Sequence, residues 1–248
     1  MAPVALVTGG GRGIGKATVQ LLAERGYDVC INYVRDADSA DALAGELLAM
    51  GRRAVTVQAD VAREADVERL FATLDAEFGS LAALVNNAGV LFTQMRVADM
   101  DAARIDRVLA VNVTGSLLCC REAVRRMSTE HGGNGGSIVN VSSMAARLGA
   151  PNEYVDYAAA KGAVDSLTIG LAREVASQGI RVNAVRPGLI RTDIHTDGGV
   201  PDRVDRLGPQ VPIGRGGEAV EVARAIVWLL SDEASFVTGS LLDVSGGR

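Results

Sequence analysis

The chain is poor in aromatic side chains and has no basic excess, which argues against one broad class of partner. Its 248 residues include four Phe, four Tyr and one Trp, and its formal net charge is -5 at pH 7. Nucleic-acid binding uses a basic surface, often with aromatic rings on which bases stack. We therefore expect no nucleic-acid partner.

Cysteines, histidines and long apolar runs are also scarce. Cys30, Cys119 and Cys120 form no CxxC pair and cannot all pair within one chain, as expected in a reducing compartment. His131 and His195 lack the spacing of metal ligands, so we predict no metal. No stretch reaches the ~18 apolar residues that span a bilayer, and the start lacks the pattern of a secretion signal. We expect a cytoplasmic protein with no membrane partner.

Short apolar runs alternate with longer segments of helical period, a pattern typical of repeated βαβ units and a parallel sheet. The predicted strands are Val4–Thr8, Val29–Tyr33, Ala54–Gln58, Ala83–Asn86, Ser137–Val141, Arg181–Val185 and Leu241–Val244. The predicted helices are Gly13–Arg25, Ser39–Met50, Glu64–Glu77, Asp101–Thr129, Val155–Ser177 and Glu218–Leu230. No repeat or linker divides residues 1–248, so we predict a single α/β domain with a seven-stranded parallel sheet and helices on both faces.

A glycine-rich turn directly follows the first predicted strand. Residues 8–15 read TGGGRGIG, and the helix and strand that follow complete a βαβ unit. Glycines allow a tight turn and close approach of the backbone, and a helix N-terminus offers N–H groups to a pyrophosphate. This context predicts a Rossmann-type, doubly wound fold that binds a dinucleotide.

The end of the second predicted strand indicates which dinucleotide binds. An NAD-binding chain is expected to have an acidic residue there, on the ribose hydroxyls, but residues 32–35 read NYVR. Arg12 and Arg35 could instead bond a 2′-phosphate. We predict NADP(H), with NAD less favoured. Two alternatives stay open: both arginines are solvated surface cations, or Asp36 turns toward the ribose.

Tyr157 and Lys161 are four residues apart, which puts them on one face of a predicted helix. A phenol with a pKa of ~10 is a poor base at neutral pH, and a nearby ammonium favours the phenolate. Ser142-Ser143 follows the fifth predicted strand, at the edge where open α/β sheets bind ligands, and a hydroxyl there can stabilise charge on a carbonyl oxygen. With a nicotinamide cofactor, these groups predict hydride transfer at a carbonyl or alcohol carbon, with Tyr157 as the general acid/base.

Together the motifs resemble the short-chain dehydrogenase/reductase family over the whole chain. They appear in order as the turn at 8–15, Asp60-Val61, Asn86-Asn87-Ala88-Gly89, Asn112, Ser143, Tyr157-x3-Lys161 and Pro187-Gly188. The resemblance implies a catalytic set of Asn112, Ser143, Tyr157 and Lys161. In that set, Asn112 would hold a water that relays protons through Lys161.

The resemblance also implies where the cofactor lies. Asp60 and Val61 would contact the adenine, Asn87 and Gly89 the adenosine side, and Ile190 and Thr192 the carboxamide. The full predicted cofactor-binding set is Gly9, Arg12, Gly13, Ile14, Gly15, Asn32, Tyr33, Arg35, Asp60, Val61, Asn87, Ala88, Gly89, Tyr157, Lys161, Pro187, Gly188, Ile190 and Thr192.

The substrate pocket is predicted by position alone. Residues 188–217 form a long Gly- and Pro-rich stretch, which we predict to be a substrate-binding loop or lid. Pocket candidates are Arg147, Tyr154, Ile194 and His195. The segment between Ser143 and Tyr157 is one residue longer than in many family members, so the shape of the pocket is expected to differ.

The resemblance extends to two substrate classes, 3-oxoacyl-acyl carrier protein reductases and sugar or polyol dehydrogenases. Arg173 suits an acidic carrier protein, whereas residues 128–132, STEHG, lack the basic side chains often found before the fifth strand. A non-catalytic NADP(H)-binding sensor is a further alternative. The resemblance also implies a homotetramer, packed through the helices near 101–129 and 155–177.

Overall fold

A computed structural model describes residues 2–248. The strands are β1 (Val4–Val7), β2 (Asp28–Tyr33), β3 (Ala54–Gln58), β4 (Ala83–Asn86), β5 (Gly136–Val141), β6 (Ile180–Pro187), β7 (Ile190–Arg191), β8 (Gly217–Glu218) and β9 (Leu241–Val244). The helices are α1 (Gly13–Glu24), α2 (Ala37–Ala49), α3 (Glu64–Phe78), α4 (Ala102–Leu109), α5 (Gly115–Met127), α6 (Ala145–Leu148), α7 (Val155–Val175), α8 (Ile194–Asp197), α9 (Arg203–Leu207) and α10 (Ala219–Leu230).

The main sheet has seven parallel strands in the order β3-β2-β1-β4-β5-β6-β9. β1 pairs with β2 on one side and with β4 on the other, so Leu6 lies opposite both Cys30 and Leu84. The chain therefore reverses its direction of winding at β1 and β4, which opens a crevice at their carboxyl ends. The predicted Rossmann-type, doubly wound sheet is confirmed.

Each face of the sheet has its own apolar core, which explains why the central strands are apolar throughout. On one face, α1, α2 and α10 pack through side chains that include Leu22, Leu43, Leu47, Val222 and Ile226. On the other face, α3, α5 and α7 pack through Leu70, Phe71, Cys119, Met127 and Val175, among others. The cores hold both faces in place and fix the strand ends that form the crevice.

The helix predicted over Asp101–Thr129 is interrupted in the structure. A π-helical turn, Ala110–Thr114, joins α4 to α5. The turn places Asn112 with its side chain fully buried, and the amide donates to Val108 O at 2.9 Å and to Val90 O at 3.1 Å. The sequence predicted one continuous helix here and did not show this turn. π-Bulges of this kind are frequent at functional sites.

Residues 188–217 are less irregular than their composition suggests. They contain β7, α8 and α9, and β7 pairs with β8 at the end of the segment in a separate two-stranded parallel sheet. Val204 and Val211 form a small apolar cluster with Leu189 under this segment. Among residues 2–248, no helix is both long and apolar enough to cross a membrane.

Candidate active site

A cavity of about 860 Å³ opens at the carboxyl ends of the central strands. Its wall combines the glycine-rich turn, the ends of β2, β4, β5 and β6, one face of α7, and residues of the 188–217 segment. Most predicted site residues line it: Gly9, Arg12, Gly13, Ile14, Tyr33, Arg35, Asp60, Val61, Asn87, Ala88, Gly89, Ser143, Tyr157, Lys161, Pro187, Gly188, Ile190 and Thr192. Residues distant in sequence thus meet in one place.

The glycine-rich turn is shaped by close backbone approach. A Cβ on Gly15 would clash with Gly9 O and lie 2.6 Å from Asn87 Nδ2, so only glycine fits there. Asn87 fixes the turn, because its amide donates to Thr8 O and Gly9 O at 2.9 Å each. Gly15 is therefore a packing residue behind the cavity wall.

Asn32 supports the same turn from inside the sheet. Its side chain is fully buried, accepts a hydrogen bond from Gly9 N at 3.2 Å and donates to Ala59 O at 2.9 Å. The sequence placed Asn32 among the cofactor contacts. The structure places it off the cavity wall, where it ties the turn to the end of β3.

The N-terminus of α1 is open to an anion. Its first turn has no acidic residue, and the side chain of its N-cap residue, Arg12, is bonded to Asp197 of α8 rather than to the helix. This hydrogen bond raises the pKa of Arg12. The first N–H groups of a 12-residue helix thus point toward the cavity without a side-chain cap.

Charges at the end of β2 bear on the adenosine end of the cavity. Asp36 caps α2, because its carboxylate accepts from Ser39 N at 3.0 Å and from Ser39 Oγ at 2.6 Å. These bonds hold the pKa of Asp36 below its usual range and occupy both oxygens. Arg35 lies beside it on the wall. Asp60 is paired with Arg107 at 2.9 Å.

Tyr157 and Lys161 project from the first half of α7 toward Ser143 at the end of β5. The Lys161 ammonium is buried, donates to Val141 O at 2.7 Å and lies 5.5 Å from the centre of the Tyr157 ring. Ser143 Oγ accepts from Ala145 N at 3.1 Å, and the Ser143 hydroxyl favours the phenolate form of Tyr157. The structure therefore brings three of the four predicted catalytic side chains together.

Burial dominates the acid–base behaviour of this group. It raises the pKa of Tyr157 to about 12, against the opposing hydrogen bond from Ser143, and it lowers the pKa of Lys161 to about 8, against the nearby charge of Asp165. The sequence predicted that the ammonium lowers the pKa of Tyr157. The net shift is in the other direction, because desolvation of the phenolate is the largest effect and Ser143 offsets only part of it.

Asn112 lies behind the lysine rather than on the cavity wall. Its Oδ1 is buried and has no hydrogen-bond partner among the described residues. A Cβ on Gly89 would be 2.9 Å from this oxygen and 3.6 Å from Lys161 Nζ, so both atoms approach the same glycine. Asn112 Oδ1 is therefore an unused acceptor near the ammonium.

Comparison with known proteins agrees with this geometry. The family model described as enoyl-(acyl carrier protein) reductase matches residues 9–248. An uncharacterized oxidoreductase of Escherichia coli (strain K12), YgfF, is 58% identical over 245 residues, 99% of each chain. The chain belongs to the short-chain dehydrogenase/reductase family. It is an oxidoreductase by that membership.

Other members of the short-chain dehydrogenase/reductase family are similar over almost their full length. A cis-4-hydroxycyclohexanecarboxylate dehydrogenase of Sinomonas cyclohexanicum is 44% identical, over 98% of this chain and 95% of the relative. A short-chain dehydrogenase of Burkholderia cenocepacia J2315 in complex with NADP has a TM-score of 0.90 at 35% identity, covering 99% and 97% of the two chains. A 3-ketoacyl-(acyl-carrier-protein) reductase of Brucella melitensis complexed with NADH has a TM-score of 0.91 at 34% identity, covering 99% and 98%.

The substrate end of this short-chain dehydrogenase/reductase holds two charged residues that sequence reasoning missed. Arg203 of α9 pairs with Glu153, with its nitrogens 3.1 and 2.6 Å from the carboxylate oxygens, and stacks over the Tyr154 ring at 5.3 Å. The partners are 50 residues apart, so no local spacing could reveal them. The only available signal was the position of Glu153 next to the pocket candidate Tyr154.

The four predicted pocket candidates separate in the structure. Tyr154, Ile194 and His195 line the cavity. Arg147 is instead paired with Asp243 at 2.6 Å, away from that wall. The ring of His195 contacts Ile190 O through Nε2 at 3.0 Å, and burial lowers its pKa. The imidazole is therefore neutral at pH 7.

Proposed function

We propose that the protein transfers hydride between NADP(H) and a carbonyl or alcohol carbon of a small substrate, with Tyr157 as the general acid/base. One observation carries the proposal. Tyr157, Ser143 and Lys161 share the wall of a single cavity with the open N-terminus of α1. An acid/base group is thus joined to an anion-binding turn by a space of suitable size for a ligand.

The residues present fit a phosphorylated dinucleotide. The uncapped N–H groups of α1 suit a pyrophosphate, and Arg12 and Arg35 suit a 2′-phosphate. Asp36 caps α2 by accepting two hydrogen bonds from Ser39, which favours this role over the alternative in which Asp36 holds the ribose hydroxyls. The neighbour from Burkholderia that binds NADP supports the same choice. Bound there, the cofactor supplies or accepts the hydride.

Each catalytic side chain has a defined task in this proposal. Ser143 donates a hydrogen bond to the substrate oxygen and orients it. Tyr157 gives that oxygen a proton during reduction and removes it during oxidation. Lys161 stabilises the phenolate when the proton has left, and the free Oδ1 of Asn112 accepts a hydrogen bond on the path from the ammonium to solvent.

The direction of the pKa shift favours reduction at neutral pH. With a pKa of about 12, the Tyr157 phenol keeps its proton and is ready to donate it. Oxidation needs the phenolate, which requires an added positive charge near the ring. We therefore expect the reductive reaction to have the broader plateau of activity on the alkaline side of neutrality.

A carbonyl and alcohol screen followed by NADPH absorbance, with NADH in parallel, tests the proposal. Tyr157→Phe removes the proton donor and is expected to lower kcat by at least ~100-fold on any substrate found. Tyr27→Phe is the matched control, because this tyrosine packs against the core beside α1 and does not line the cavity. A Tyr157→Phe enzyme with near wild-type turnover contradicts the assignment.

A 3-oxoacyl-acyl carrier protein reductase is the second candidate. The neighbour from Brucella with that name shares the whole fold, and Arg173 is exposed on α7 as a contact for an acidic carrier. Arg126, another basic residue on that side, is already paired with Asp75 and Glu122. A higher kcat/KM for an acyl-carrier substrate than for its small thioester analogue supports this candidate. Tight NADPH binding without turnover of any carbonyl supports the non-catalytic sensor.

Assembly and location stay predictions. Leu109, Leu117 and Ile169 are exposed apolar side chains on or beside the helices through which we predict tetramer packing. Light scattering during size-exclusion chromatography measures the assembly, and a mass of one chain contradicts a homotetramer. The three free thiols support a cytoplasmic location, which imaging of a tagged chain tests.

A further inference from the structure

The Glu153–Arg203 pair is built into the wall at the substrate end of the cavity. The Arg203 side chain is 9% exposed and that of Glu153 is 33% exposed. The two carboxylate oxygens meet two different guanidinium nitrogens, and the Tyr154 ring covers the guanidinium face. The geometry is the fork-to-fork arrangement in which an arginine binds a carboxylate most strongly.

The loop that supplies Glu153 is also held from the other side. Met95 N donates to Glu153 O at 2.9 Å, and Glu153 N donates to Ala150 O at 3.2 Å. Ala150 and Asn152 have positive φ angles of 44° and 61°, a conformation that non-glycine residues adopt only when their surroundings impose it. Glu153 is therefore held in position by several independent contacts.

The pair balances the charges of Glu153 and Arg203 against each other. Both terminal guanidinium nitrogens of Arg203 donate to the Glu153 carboxylate, and His195 is neutral. The wall of the cavity also includes the apolar side chains of Leu91, Phe92 and Leu148. A carboxylate entering here meets the Glu153 carboxylate and finds the Arg203 guanidinium occupied.

We propose that Glu153 is a specificity-determining residue that excludes carboxylates, so that the physiological substrate is a carbonyl compound or alcohol with no negative charge near its reacting carbon. This inference rests on the proposed function. An anion that binds the Arg203 guanidinium would have to break this bidentate pair and leave Glu153 unpaired, whereas an uncharged group leaves the pair intact.

His195 indicates one polar group that such a substrate carries. Because Nε2 donates to Ile190 O, the neutral ring presents Nδ1 as an acceptor, and this atom is buried with no partner among residues 2–248. Buried acceptors are normally satisfied. A hydroxyl or amide N–H on the substrate is the donor that fits it.

The test compares acids with their amides. The probes are 4-oxocyclohexanecarboxylate, acetoacetate and levulinate, each beside its uncharged amide, with NADPH as reductant. The first probe is the ketone that corresponds to the alcohol in the name of the Sinomonas relative. The wild-type enzyme is expected to have a kcat/KM at least ~10-fold higher for the amide of a pair than for its acid.

Two variants and a control separate charge from packing. Glu153→Gln frees the Arg203 guanidinium and is expected to lower the amide-to-acid ratio by ~10-fold or more, mainly through a lower KM for the acid. Arg203→Gln removes the cation, so the acids are expected to remain poor substrates. Asp75→Asn breaks another Arg–carboxylate contact, with Arg126, away from the cavity and is expected to leave the ratio unchanged.

The possible outcomes distinguish the two levels of inference. Equal turnover of acid and amide by the wild-type enzyme overturns the inference while leaving the proposed function intact. An unchanged ratio in a folded Glu153→Gln enzyme does the same. If Glu153→Gln does not fold, the amide-to-acid kcat/KM ratios of the wild-type enzyme and of Arg203→Gln still test the inference. No turnover of any carbonyl, in this set or in the wider screen, overturns the proposed function itself.

Discussion

Replacing Lys161 by methionine is expected to make the cofactor-free protein more stable while abolishing its turnover. Burial lowers the pKa of Lys161 from 10.5 to about 8. At pH values below both pKa values, Lys161 is protonated in the folded and the unfolded chain, but the proton binds more weakly in the folded chain. This difference lowers the free energy of unfolding by about 3 kcal/mol near pH 7. Methionine has a similar length and no charge, so the substitution removes that cost.

The substitution also removes a favourable contact. The Nζ–Val141 O hydrogen bond of 2.7 Å is lost and a buried carbonyl is left unpaired, which costs about 1–2 kcal/mol. The expected net gain for Lys161→Met near pH 7 is therefore about 1–2 kcal/mol. The sign is informative, because most substitutions of buried residues destabilise a protein.

The gain is expected to disappear as the pH rises. Between about pH 8 and pH 10.5 the unfolded wild-type chain binds more protons at Lys161 than the folded one, so wild-type stability increases with pH. By about pH 9.5 the cost of the ammonium falls by about 2 kcal/mol, which cancels the advantage of the variant. The pKa of Tyr157 is raised from 10.0 to about 12 by folding, so above about pH 10 this tyrosine makes stability fall with pH. It does so equally in the wild-type protein and in the variant.

Urea unfolding followed by the fluorescence of Trp228, the single tryptophan, measures the difference at fixed protein concentration and several pH values. Lys16→Met is the matched control. Lys16 is the other lysine, 41% exposed and 3.5 Å from Glu46, and its removal is expected to change stability by less than about 0.5 kcal/mol. A Lys161→Met protein that is less stable than wild type at every pH refutes the buried ammonium.

Three further substitutions test the cofactor end of the cavity. Asp197→Asn releases Arg12 from its ion pair and is expected to lower the Kd for NADPH by a few-fold without changing that for NADH, as measured by fluorescence titration; an equal effect on both cofactors contradicts a role for Arg12 at the 2′-phosphate. Asn32→Ala leaves Ala59 O and Gly9 N unpaired and is expected to cost about 2–3 kcal/mol in urea unfolding, whereas a direct cofactor contact would weaken binding with little loss of stability. Gly15→Ala forces a Cβ against Gly9 O and is expected to weaken NADPH binding at least ~10-fold; normal affinity in a folded variant shows that the turn can give way.

The sequence predicted those parts of the site that depend on short spacings or on strand ends. Tyr157 and Lys161 are one helical turn apart, so helix geometry alone brings them together. The glycine-rich turn is recognisable because it stands between an apolar strand and a helix. The order of the elements was enough to predict the parallel sheet, because apolar runs and helical segments alternate along most of the chain.

The sequence could not predict contacts between distant segments or the side on which a strand residue lies. Arg12 and Asp197 are 185 residues apart and meet only because the 188–217 segment folds back over the turn. Asn32 was placed with the cofactor because it is near the end of β2, but its side chain points into the interior. The pKa of Tyr157 was misjudged for a related reason, since burial is a property of the whole fold and not of the Tyr–Lys spacing.

The small β7–β8 ladder has a consequence for how the family can diversify. Ile190 pairs with Gly217 and Arg191 with Glu218, so the chain leaves and re-enters the body of the protein at one point. Residues 192–216 therefore form an insertion whose two ends are held about one strand spacing apart by the β7–β8 pairing. A change in the length of residues 192–216 therefore leaves the seven-stranded sheet undisturbed, provided that the contacts of Asp197 with Arg12 and of Arg203 with Glu153 are kept.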